Sequence, residues 1–167
     1  MKLKYFTLII VLFSSISGFC QEMKKGFTYL ETGKYQEAET FFKVILEEYP
    51  TNKTARLCYG RAVGLNGNPE EAITLFTRLL SDFPNDFEVK LNYAESLLWD
   101  QQYSLAEKYY EKLIQEDSKS FPALLGYANT LSKVKKFDNA IFYVDKALAV
   151  LPGNKNALIS KKYMRLG

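Results

Sequence analysis

Apolar residues recur along this chain at helical spacing. Ala38, Phe42 and Leu46 lie four apart. So do Ala72, Phe76 and Leu80, then Ala106, Tyr110 and Ile114, then Ala140, Val144 and Leu148. A row spaced by fours runs along one face of a helix. Pro50, Pro84 and Pro152 close three of these segments, and Ser118 stands at the remaining position. Proline cannot continue a helix, so each segment has a defined stop. The stretch before each row is helical too. Gly26, Gly60, Ala94 and Ala128 are small residues in register, followed three positions later by Tyr29, Val63, Leu97 and Leu131. Tyr59, Tyr93 and Tyr127 immediately precede the small residue. Small side chains let two helices approach closely. The pattern therefore predicts pairs of helices of about 13 residues, joined by turns containing glycine or a polar pair.

The pairs form a repeat. Gly-Lys-Tyr-Gln-Glu-Ala at 33–38 returns as Gly-Asn-Pro-Glu-Glu-Ala at 67–72, Gln-Gln-Tyr-Ser-Leu-Ala at 101–106 and Lys-Lys-Phe-Asp-Asn-Ala at 135–140. The interval is 34 residues each time, and Ala38, Ala72, Ala106 and Ala140 are identical across the copies. The period, the small residue with an aromatic beside it, the constant alanine, the aromatic four later and the closing proline together resemble the tetratricopeptide repeat family. The resemblance covers residues 21–154 as four repeats, 21–52, 53–86, 87–120 and 121–154. It implies an all-α fold: a right-handed superhelical solenoid of four helix pairs. Met23 and Lys25 depart from the family pattern, which predicts a frayed or capping first helix.

Residues 155–167 begin a fifth copy, with Ala157, Leu158 and Ile159 in phase with Ala123, Leu124 and Leu125. Lys162 stands where Gly60, Ala94 and Ala128 stand earlier, and a lysine cannot be covered by a close partner helix. This segment reads as a C-terminal cap helix, which repeat arrays need at their ends.

The N-terminus has a different pattern. Lys2 and Lys4 precede an apolar run from Tyr5 to Phe13, and Ser14, Ser15, Ser17 and Gly18 follow. Residues 1–20 have the layout of a secretory signal peptide. The run is too short to span a bilayer comfortably, which takes about 20 apolar residues. Gly18 and Cys20 fit cleavage before Gln21; Ser15 and Ser17 fit cleavage before Gly18. A lipidated Cys20 and an uncleaved anchor are the alternatives, and the bulky Phe19 counts against lipidation. Membrane association is expected only through such an anchor or lipid. Without residues 1–20, one cysteine remains, Cys58, so no internal disulfide can form. It reads as a buried small hydrophobe.

Composition narrows the chemistry. The 167-residue chain has no histidine, which removes imidazole bases, His-containing triads and imidazole metal sites. Two cysteines cannot form a four-thiolate zinc site. Glycine-rich phosphate loops and nucleophile elbows are absent from the sequence. The carboxylate pairs Glu47-Glu48, Glu70-Glu71 and Glu116-Asp117 read as solvated helix surface. No catalytic residue, metal or cofactor is expected. A formal charge of +3 is too small to suggest nucleic acid. The charge is nevertheless uneven. Residues 21–120 hold 12 basic and 17 acidic side chains, whereas residues 121–167 hold 8 basic and 2 acidic.

Surface recognition remains. In the family this chain resembles, the first helix of each pair lines a concave groove that holds a peptide or a partner helix. Carried over by phase, that groove would contain Phe27, Leu57, Arg61, Leu91, Asn92, Glu95, Trp99, Leu125, Asn129 and Tyr163. The family's carboxylate clamp of Lys, Asn and Arg is not matched: Leu57, Leu91 and Leu125 stand at the clamp lysine position. The resemblance thus implies an apolar groove floor with polar edges, suited to an amphipathic helix or an extended apolar segment. Trp99, the only tryptophan, is the sharpest single candidate. The expected function is a non-catalytic protein-interaction scaffold or adaptor in a bacterial envelope, periplasmic or outer-membrane-associated. The alternative is an N-terminal module of a longer envelope or outer-membrane protein.

Overall fold

The computed structural model describes residues 23–166, and the signal-peptide reading and Cys20 lie outside them. The described residues form helices and turns, with no strand among them. The chain divides into two compact units after Gly67.

The first unit holds α1 (residues 23–31), α2 (Tyr35–Glu48) and α3 (Lys53–Leu65). Its core gathers Met23, Ala38, Phe42, Ile45, Ala55, Cys58 and Ala62. Met23 is 5% exposed and belongs to this core, so the first helix is packed from its first described residue rather than frayed. Gly26 explains the close approach of α1 and α2. A β-carbon there would lie 2.4 Å from Cζ of Phe42.

The second unit holds α4 (Pro69–Asp82), α5 (Phe87–Trp99), α6 (Tyr103–Glu116), α7 (Phe121–Lys133), α8 (Phe137–Val150) and α9 (Lys155–Met164). Successive helices pack on one another from α4 to α9, and α5 touches α7 as α7 touches α9. Ala94, Leu97, Ala106, Tyr110 and Leu113 share one core with Ala128, Leu131, Ala140 and Val144. Two edge-on tyrosine pairs sit in matching register. Tyr93 faces Tyr109 at 4.9 Å between ring centres, and Tyr127 faces Tyr143 at 4.6 Å.

The sequence pattern needs one correction. The third buried residue of each second helix is the seventh after the constant alanine, not the eighth. Ile45, Leu79, Leu113 and Ala147 are buried, whereas Leu46, Leu80, Ile114 and Leu148 are half-buried. Seven residues of helix return to within about 20° of the starting direction, and eight overshoot by about 80°.

The turn inside each of the four helix pairs adopts backbone that favours glycine. Gly33 and Gly67 have φ of 75° and 100°, and the matching residues Gln101 and Lys135 hold φ of 61° and 63°. The pair turn requires that left-handed residue in every copy, whichever side chain occupies it.

Starts of the first helices are fixed by a column that the apolar pattern does not show. Asn52, Asp86, Ser120 and Asn154 each accept a hydrogen bond from the backbone N–H three residues on, at 2.9, 3.1, 3.4 and 3.0 Å. Such caps satisfy N–H groups that have no partner within the helix.

Candidate functional site

Within the second unit, the C-terminal ends of α5 and α7 and one side of α9 enclose a cleft of about 860 Å³. Helix α5 supplies Leu98 and Trp99, and the turn after it supplies Gln101. Tyr103 enters from the start of α6, and Asn129, Ser132 and Lys133 from α7. Ser160, Tyr163 and Met164 close the α9 side. The turn at Gln101 reverses the chain directly after Trp99, which brings Tyr103 back beside it. Three aromatic rings therefore border one space, with amide and hydroxyl groups between them and Lys133 as its one charged lining residue. Tyr163 is 69% exposed and Trp99 is half-buried, so both present ring surface to solvent.

Three residues expected in the groove, Trp99, Asn129 and Tyr163, meet in this cleft. The others do not line it. Leu91 and Leu125 are half-buried and packed on the core, so the leucine column is not a free apolar floor here. Asn92 is 4% exposed, and its amide donates to the Glu88 carbonyl at 2.7 Å. That bond ties the side chain to its own helix and leaves the Asn92 Oδ1 without a partner among the described residues. Glu95 is half-buried, and its negative charge helps raise the pKa of Tyr110, second to burial of that hydroxyl. In the first unit, Leu57 is 2% exposed and Arg61 is exposed. Phe27 lies with its ring 6.3 Å from that of Phe42, on the edge of the core.

Tyr103 is the aromatic cleft residue that sequence reading missed. Its column also contains Tyr35, Pro69 and Phe137, which marks it as framework, and nothing in that column singles out one copy. Gln101 and Ser132 were hidden for a simpler reason: isolated polar residues at helix ends are common.

The arrangement offers ring faces and hydrogen-bonding groups without a reactive constellation. Among the described residues no group of His, Cys, Asp and Glu could hold a metal ion. Cys58 is buried. The three carboxylate pairs are exposed. No helix among the described residues is long and apolar enough to cross a membrane.

Two stretches of the chain match family models, both described as tetratricopeptide repeat, at residues 22–52 and 65–109. The chain thus contains tetratricopeptide repeats. No curated protein matches the sequence. Several solved structures match the fold. TTC0263, a thermophilic TPR protein of Thermus thermophilus, is 16% identical over 87% of this chain and 80% of its own, with a TM-score of 0.79. MamA MSR-1 is 21% identical over 87% of this chain and 83% of its own, with a TM-score of 0.62. The second TPR domain of human RPAP3, solved in complex with an HSP70 peptide, is 24% identical over 64% of this chain and 88% of its own, with a TM-score of 0.57. At such identities the likeness is one of fold: an all-α array of helix pairs.

Proposed function

We propose that this chain is a non-catalytic interaction scaffold of a bacterial envelope, exported by its N-terminal segment, which holds a partner protein segment in the Trp99–Tyr163 cleft. The observation that carries this reading is the meeting of Trp99, Tyr103 and Tyr163 around about 860 Å³ of open space. Aromatic rings with one polar end bury a large area at low entropic cost, and they dominate the energetics of protein interfaces. The polar groups between them can satisfy the backbone of a bound segment. The RPAP3 domain holds a peptide on a related fold, which supports peptide recognition here as an analogy only. The absence of histidine and the solvated placement of the carboxylate pairs favour binding over catalysis.

Affinity capture from an envelope fraction tests this reading, comparing the natural chain with Trp99→Ala. A partner held in the cleft should be recovered with the first and lost, or reduced about 30-fold, with the second. Equal recovery with both, the variant remaining helical, would remove Trp99 as an anchor.

A further inference from the structure

We propose that the outward face of α9 is a second docking surface, separate from the cleft, which takes an acidic amphipathic helix of another protein. The array itself supplies the template. On α7, Leu124, Ala128 and Leu131 are at most 1% exposed, and the last two share a core with Ala140 and Val144 of α8. Helix α9 lies 34 residues further on, and the same three positions hold Leu158, Lys162 and Arg165. Leu158 is 48% exposed, Leu166 is 73% exposed, and Lys162 and Arg165 are exposed as well. At 100° per residue, these four side chains and Lys155 share an arc of about 100°.

The opposite side of α9 holds it in place. Ala157 and Met164 are buried, Lys161 pairs with Asp145, and the helix packs on α8 and α7. Tyr163 lies beyond Leu166 on the cleft side. Among the described residues no helix covers the outward arc.

Charge identifies the occupant. The four charged residues from Lys155 to Arg165 are all basic. Lys161 is paired, whereas Lys155, Lys162 and Arg165 make no ion pair among the described residues. A helix docking on this face meets Lys162 and Arg165, whose length holds it further off than α8 lies from α7. Apolar side chains there would bury two uncompensated charges, which is unfavourable; carboxylates would pair with them. Apolar side chains fit against Leu158 and Leu166. A lipid surface fits less well. A membrane-lying helix separates its apolar side from its cations, whereas Lys162 sits between Leu158 and Leu166 within one arc.

The test uses the full chain and a labelled synthetic helix of leucine and glutamate in amphipathic order. The same peptide with lysine in place of glutamate is the control, and phosphatidylglycerol vesicles form a third arm. The leucine–glutamate helix should bind, and more weakly as salt rises. Exchanging Lys162→Glu and Arg165→Glu should lower its affinity at least tenfold and create binding to the leucine–lysine helix. Leu158→Ser should weaken both. Trp99→Ala should change nothing, which separates failure here from failure of the cleft reading. Equal binding of both peptides to the natural chain would overturn the proposal. So would binding that the charge reversal leaves unchanged. So would binding of the vesicles but of neither peptide, which would assign the face to lipid.

Discussion

A β-carbon on Gly126 would lie 2.4 Å from Cε1 of Tyr110 and 2.6 Å from its hydroxyl oxygen. The tyrosine ring, fully buried, fills the space that a side chain on α7 would need. Glycine inside a helix ordinarily costs about 1 kcal/mol relative to alanine. Here Gly126→Ala should destabilise instead, by about 1 kcal/mol net, because overpacking a core costs about 1–3 kcal/mol. Chemical denaturation decides it. In a Tyr110→Leu background the same change should become stabilising, and an unchanged sign there would show that the ring is not the obstacle.

The Tyr110 hydroxyl has no partner among the described residues. Burial raises its pKa well above 10, and the charge of Glu95 adds to the rise. Burial, with Glu107 next, pushes Tyr127 up to about 12. In the unfolded chain both titrate near 10. Their contribution to stability is therefore full below pH 10 and is lost as pH rises from 10 towards 12 and beyond. One tyrosine held neutral in the fold steepens that loss by about 1.4 kcal/mol per pH unit. Tyr110→Phe should leave neutral-pH stability unchanged or slightly higher. It should also flatten the alkaline limb of stability against pH. An identical alkaline limb in the variant would contradict the assignment.

Asp86 caps α5 through a 3.1 Å bond from the Val89 N–H. Asp86→Ala should cost about 1 kcal/mol, and Asp86→Ser should restore most of it. Equal stability of all three proteins would show that the cap is replaced by solvent.

The helix pairs were readable because their apolar positions repeat four times at one interval, so noise at a single position is averaged out. Ala38, Ala72, Ala106 and Ala140 are all fully buried, as the pattern requires. The face of each second helix was misplaced by one residue at its far end, since Leu46 and Ile45 are both apolar and spacing alone does not rank them. The cap column at 52, 86, 120 and 154 was equally regular. It escaped notice because its members are Asn, Asp, Ser and Asn, alike in hydrogen bonding but not in hydrophobicity. The cleft was legible only in part. Asn129 and Tyr163 share one column of the repeat, and Trp99 belongs to the column four residues on along the same helix face, whereas Tyr103 arrives through a turn geometry set by Gln101. The burial of Asn92 depends on the surroundings of α5, which no single position encodes.

Cleft binding is tested most directly by photo-crosslinking in the producing cell, with a photoreactive phenylalanine placed at position 163 or at position 142. Tyr163 lines the cleft, and Phe142 is 54% exposed on α8 without lining it. A discrete partner adduct from 163, absent from 142 and abolished by Trp99→Ala, is the predicted result. Adducts of equal yield from both positions, or a 163 adduct indifferent to Trp99→Ala, would contradict binding in the cleft.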